Sequence, residues 1–251
     1  MSAADKLPAL RQRLAAIAQQ FQPAAFATSF GAEDMVLLDL IAREFPSIEV
    51  FTLDTGRLPP ETLALVAESE LQYRVEIQIY RPLPAAVEQY VNTSGLNAFY
   101  ESLELRKACC GIRKVEPLAR ALAGKRAWLT GLRREQAASR ATMAEAEFDA
   151  THGIEKFNPL IDWTHADVWE YIHANKVPYN ALHDRGYPSI GCEPCTRAVK
   201  PNEDPRAGRW WWEQDAAQKE CGLHVASAIA SIPISVLHQE RLDFAREVDA
   251  Q

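Results

Sequence analysis

The chain has 251 residues, 47% of them hydrophobic, enough for one large core or one and a half domains. Its net charge of −7 does not favour nucleic acid or an anionic membrane surface, and no apolar run reaches the ~20 residues that span a bilayer. Five cysteines are too few for a secreted disulfide scaffold, and the odd count leaves one over, so a reducing, cytoplasmic setting is expected.

The first residues, MSAADKLPALRQRL, read as a polar helix start and not as a signal peptide. KLPALRQRLAAIAQQF (6–21) has apolar positions at helical spacing, and AAFATSF (24–30) is a short strand-like run. EDMVLLDLIAREF (33–45) is predicted helical, with acids in its first turn to suit the dipole. IEVFTLDT (48–55) predicts a second strand, PPETLALVAESE (59–70) a helix opened by prolines, and RVEIQIY (74–80) a third strand. A helix over 112–124 ends at Gly124, and RAWLTGLR (126–133) follows as a fourth strand. KFNPLI (156–161) is a shorter strand before the helix HADVWEYIHANK (165–176), for which Thr164 is the cap. Alternating strands and helices predict an α/β fold, with a mainly parallel sheet flanked by helices. After residue 176 the pattern gives way to Pro, Gly, charge and Trp, which reads as an irregular functional tail and not as more core. The expected division is an α/β domain over 1–199 and a C-terminal tail over 200–251.

Ligands of open α/β sheets bind beyond the carboxyl ends of the strands, and three segments fall there. In SFGAED (29–34), Ser29 and Gly31 can supply a hydroxyl and a close backbone approach, with a helix N-terminus behind them. LDTGR (53–57) ends the second strand with Asp54, Gly56 and Arg57. GLRREQAASR (131–140) ends the fourth with Arg133, Arg134 and Arg140. Each alone fits a plain turn or a solvated surface; together they favour a nucleotide or phosphate pocket.

The stretch RKACCGIRK (106–114) sets Cys109 and Cys110 side by side between basic residues, which favour thiolate over thiol. GCEPC (191–195) adds Cys192 and Cys195 at C-x-x-C spacing, so four thiolates can form one site. Zinc and a cubane iron–sulfur cluster both accept four cysteines. Adjacent ligands crowd one small ion, whereas a cluster spreads its corners, so the spacing favours the cluster; a dithiol beside two buried helix cysteines is the bland alternative. The fifth, Cys221, lies in KECGLH (219–224) with Lys219 and His224 able to stabilise a thiolate. Nearby PRAGRWWWE (205–213) brings Arg206, Arg209 and three tryptophans, the composition of a lid over an anionic substrate.

Taken in order, SFGAED, LDTGR, CC…CxxC, GLRREQ and ECGLH resemble the assimilatory adenylyl-sulfate (APS) reductases, the cluster-bearing branch of the family that also holds the phosphoadenylyl-sulfate (PAPS) reductases. The resemblance runs from about residue 24 to residue 224. It implies an adenine nucleotide α-hydrolase-like fold, one 4Fe–4S cluster per chain, and thioredoxin-dependent reduction of APS to sulfite and AMP in sulfate assimilation and cysteine biosynthesis. By motif, Cys109, Cys110, Cys192 and Cys195 are implied as cluster ligands, Cys221 as nucleophile, and His224 as its neighbour. Ser29, Gly31, Asp34, Asp54, Gly56 and Arg57 are implied to hold the nucleotide, and Lys114, Arg133, Arg134, Arg206 and Arg209 to face the phosphosulfate. With the other cysteines committed to the cluster, an external dithiol has to release sulfite from a sulfonated Cys221.

Alternatives are PAPS reduction, an ATP-dependent enzyme of the tRNA-thiolation type, and a nucleotide-binding iron–sulfur sensor. The acidic net charge opposes tRNA, and a sensor needs no fifth cysteine beside arginines. The residues after His224 depart from the family pattern; VLHQERLDFAREV (236–248) is weakly amphipathic, and a homo-oligomer is expected.

Overall fold

The computed structural model describes residues 2–137, 140–213 and 223. Cys221, His224 and the 236–248 segment lie outside the described residues.

Helix α1 (Ala3–Gln20) leads into strand β1 (Ala24–Thr28), helix α2 (Ala32–Glu44) and strand β2 (Glu49–Leu53). Helix α3 (Pro60–Tyr73), strand β3 (Ile77–Tyr80) and helix α4 (Pro84–Ser94) follow. Helix α5 (Leu103–Cys110) runs through one π-helical turn (Gly111–Val115) into helix α6 (Glu116–Leu122). Strands β4 (Ala127–Leu129), β5 (Ala146–Asp149) and β6 (Ile154–Phe157) precede helix α7 (His165–Asn175). The strands form a six-stranded sheet in the order β3-β2-β1-β4-β6-β5. Every pairing is parallel except β5 with β6.

Strand β1 is central because AAFAT is apolar on both faces, as a strand covered by helices on each side must be. Helix α2 lacks a polar face, and Met35 to Ile41 are each at most 2% exposed. Its buried Asp39 is satisfied by Arg43, Tyr73 and Tyr171. Thr164 caps α7 as expected: its hydroxyl accepts from the Asp167 amide, and Asp167 accepts from the Thr164 amide.

Three features differ from the expectation. Strand β5 is antiparallel and was not predicted, because an edge strand with three exposed positions carries no hydrophobic signal. The 112–124 helix is the end of a longer helical run that starts at Leu103, where Ser102 caps it by accepting from Leu105 N–H. Part of the described C-terminal third is packed into the core: Val177, Leu182 and Trp210 are buried, and Asn180 bonds Thr62. Glycine, proline and charge there make tight turns without excluding burial. The 199/200 boundary falls within a return of the chain on itself, with Val199 N–H on Gly186 carbonyl and Arg197 N–H on Gly208 carbonyl. Among the described residues no helix is long and apolar enough to cross a membrane.

Candidate active site: two joined cavities

The chain order reverses at β1, which pairs with β2 on one side and β4 on the other. The crevice at their carboxyl ends is where an open α/β sheet binds ligands. A cavity of about 520 Å³ opens there. Ser29, Gly31 and Asp34 line it from the β1 loop, and Gly131 and Arg133 from the β4 loop. Phe30 turns the first loop with φ of 59°, a conformation disfavoured for a bulky residue, and its buried ring anchors the turn. The carboxylate of Asp34 accepts from the Ser29 amide at 2.6 Å and from its hydroxyl at 2.7 Å. Burial pushes the Asp34 carboxyl up to about 6, with the Ser29 hydrogen bonds pulling the other way. Gly131 has to lack a side chain, because a Cβ there would lie 2.1 Å from Asp34 Oδ1. This close approach draws the β1 and β4 loops together.

The predicted arginines divide by what holds them. Arg133 lines the cavity but is already engaged: it donates to Glu33, Glu135 and the Trp163 carbonyl. Burial works to raise the Glu33 carboxyl, yet the Arg133 charge and hydrogen bond outweigh it and hold Glu33 below the usual range. Arg134 lies outside the lining and donates to the Met143 carbonyl. Lys114, Arg206 and Arg209 line the cavity. Arg140, from the same loop as Arg133, also lines it and donates to Gln136.

The LDTGR turn sits differently from the expectation. Asp54 pairs with Arg81 and accepts from the Gly56 amide, Gly56 takes φ of 69°, and neither lines the large cavity. Arg57 faces the neighbouring cavity, donating to the Leu96 carbonyl and to Asn97 beside the Phe99 ring. The residues of this stretch that reach the large cavity are Leu53 and Thr55, neither of them a predicted site residue.

The neighbouring cavity is small, about 20 Å³, and its lining includes Cys109, Cys110, Cys192 and Cys195. None of these cysteines is in a disulfide. The two segments approach because α5 ends at Cys110, while the C-x-x-C turn is held by the Glu193 amide on the Arg57 carbonyl. Thr55 Oγ1 lies 3.2 Å from Cys192 Sγ. Burial and then the neighbouring Cys192 push the Cys195 thiol up to about 12. Burial likewise raises Cys109, against the pull of Arg113. Burial thus opposes the charged thiolate at Cys195 and Cys109, and a bound metal group would favour it.

That donor set fits a metal group of a particular kind. Among the described residues no three or more His, Cys, Asp or Glu are arranged around a single ion. Four thiols lining one cavity are the donor set that an iron–sulfur cluster takes. Lys114, Arg209 and Trp210 line both cavities, so the two are halves of one site. Lys114 lies in the π-helical turn that directly follows Cys110, and such turns recur at functional sites. Leu223 lines the large cavity, two residues from Cys221. His165 and His183, in no predicted motif, also line it; isolated histidines carry no signal in a single sequence.

The phosphoadenosine phosphosulfate reductase domain matches residues 23–198. The chain is 53% identical over 224 residues to the adenosine 5'-phosphosulfate reductase of Allochromatium vinosum, covering 88% of this chain and 87% of that one. It is 55% identical over 222 residues to the protein of that name from Neisseria meningitidis serogroup A, covering 88% and 91%. Among solved structures, phosphoadenylyl-sulfate reductase from Candida auris, in a phosphate complex, superposes with a TM-score of 0.65 at 32% identity, covering 76% of this chain and 90% of that one. FMN adenylyltransferase from Candida glabrata, at 14% identity and a TM-score of 0.54 over 87% and 76% of the chains, shares the fold. The chain therefore belongs to the phosphoadenosine phosphosulfate reductase domain family and, within it, groups with the adenosine 5'-phosphosulfate reductases.

Proposed function

We propose that this protein reduces adenosine 5'-phosphosulfate to sulfite and AMP, with a reduced thioredoxin as electron donor. The observation that carries the reading is the junction of the cavities: four thiols on one side, a nucleotide-sized space on the other, and Lys114 and Arg209 on the wall between them. Ser29 and Gly31 line the space at the start of α2, where the helix N-terminus attracts phosphate oxygens. Lys114, Arg206 and Arg209 meet the phosphosulfate anion by charge-assisted hydrogen bonds.

Cys221 is the nucleophile in this reading, with His224 beside it. Its thiolate attacks the sulfur of the sulfuryl group; an S–S bond forms, the S–O bond to phosphate breaks, and the electron pair leaves on AMP. A thioredoxin thiolate then attacks Cys221 Sγ, expelling sulfite with the S–S bonding pair. The second thioredoxin thiol resolves the mixed disulfide, so thioredoxin supplies both electrons. Cys109, Cys110, Cys192 and Cys195 hold one 4Fe–4S cluster. Bound there, the cluster would supply a charged group to the same site, with no change of oxidation state required. The reading sets the protein in a reducing cytoplasm, as a homo-oligomer.

The test is sulfite release by anaerobically purified protein with reduced thioredoxin, from APS and from PAPS in parallel, together with iron content. The reading expects about four irons per chain and a preference for APS. Stoichiometric zinc would remove the cluster, and a preference for PAPS would move the enzyme to the other substrate.

A further inference from the structure

Arg106 lies on α5, one turn before Cys110, and is 1% exposed. A guanidinium that deep is tolerated only when its donors are engaged. Its Nε and Nη2 donate to the two carboxylate oxygens of Glu213 at 2.8 and 3.1 Å. Its guanidinium carbon lies 4.7 Å from the Trp210 ring centroid, and the same group hydrogen-bonds the Cys110 thiol. Trp210 also carries the Arg209 guanidinium at 4.7 Å. One buried cation thus touches a thiol of the small cavity, a wall residue shared by both cavities, and Glu213, eight residues before Cys221.

We propose that Arg106 is a positioning residue that ties Glu213, eight residues before Cys221, to the thiol site by holding Cys110, Trp210 and Glu213 at once. The proposal rests on the reading of Cys221 as the nucleophile. Glu213 precedes Cys221 by eight residue steps, a reach of at most ~28 Å. Fixing Glu213 therefore bounds the volume in which the nucleophile meets its substrate. It also fixes Trp210, and through it the Arg209 side chain that reaches into both cavities. Near-attack geometry is sensitive to shifts of this kind, and a misplacement of about 1 Å can cost on the order of 10²-fold in rate.

The test uses the iron-loaded protein and three variants: Arg106→Gln, Glu213→Gln, and the two combined. The rate at which APS forms the Cys221 adduct, without thioredoxin, is expected to fall by on the order of 10²-fold in Arg106→Gln. AMP affinity is expected to stay unchanged, because the β1 and β4 loops are untouched. The combined variant is expected to be no slower than the slower single, as for two groups acting as one unit. Alkylation of Cys221 by iodoacetamide, mapped by mass spectrometry, is expected to change several-fold in both singles, which reports the tie independently of turnover. If Arg106→Gln fails to retain iron, Glu213→Gln, which touches no cysteine in the described contacts, carries the test. Adduct formation and alkylation at the unmodified rates in iron-loaded singles would overturn the proposal, as would rate losses that simply multiply. A parent protein that forms no adduct at Cys221 would overturn the nucleophile reading instead.

Discussion

The large cavity is lined by loop residues, hydroxyls, carboxylates and apolar side chains, and Arg133, one of several cations on its wall, is bound to Glu33 and Glu135. The small cavity is walled by four thiols, aromatic rings, and Arg57, Arg113, Lys114 and Arg209. The first arises from strand ends that any α/β sheet offers; the second needs a helix end and a distant C-x-x-C turn to meet. The lesson lies in where charge is spent. On the nucleotide side Arg133 ties loops to one another through carboxylates, whereas at the thiol site Arg57, Arg113 and Arg209 tie loops through backbone carbonyls.

The largest expected effect lies on the thiol side. Cys192→Ser or Cys195→Ser should lose iron and sulfite production together, because each removes one of the four thiols of a single site. Retained iron with full activity would show that the small cavity is only a dithiol. The next effect lies on the shared wall. Lys114→Ala and Arg209→Ala should each lower kcat/KM for APS by about 10- to 100-fold, the loss expected for a charge-assisted contact of ~1.5–3 kcal/mol. Unchanged kinetics in both would place the anion elsewhere.

A smaller effect, on stability, comes from the nucleotide side. Asp34 is held at about 6 in the fold against 3.8 ordinarily. Its folded value is the higher one, so the native state binds more protons between these limits. The contribution of Asp34 to stability is thus full below about 3.8 and lost as pH rises through about 6. Glu33, held low, has the opposite sign, so the test is a difference. Subtracting the unfolding free energy of Asp34→Asn from that of the parent should leave a value falling by on the order of 1–3 kcal/mol between pH 4 and 6. A flat difference would contradict the burial argument. Smallest are the positions outside both linings: Arg134→Ala and Asp54→Asn should change kcat/KM by less than about twofold, as for ordinary surface changes. A tenfold loss in either would mean that the substrate extends beyond the cavity.

Legibility in the sequence followed the same division. Strands β1 and β2 and helix α2 stood out because burial on both faces leaves continuous apolar runs, and β3 stood out by its alternation. The four thiols stood out because cysteine is scarce and its spacing is specific. The β5 edge strand left no pattern, since three of its four residues face solvent. Burial of Trp210 and Asn180 was hidden because turn-rich composition looks the same whether the turns are packed or solvated. Within the site, SFGAED announced Ser29, Gly31 and Asp34, all of which line the large cavity. LDTGR drew attention to its charged residues, whereas its cavity residues are Leu53 and Thr55. Single-sequence spacing places a turn at the site but does not say which of its side chains points inward.

The most direct measurement of the central claim is a single turnover of APS on iron-loaded protein without thioredoxin. The account predicts one equivalent of AMP and then arrest. It predicts one added SO₃ group on the peptide containing Cys221, removed as sulfite when reduced thioredoxin is supplied. Cys221→Ser should retain its iron and form no adduct. An adduct mapped to Cys109 or Cys195, or turnover by Cys221→Ser, would contradict the account.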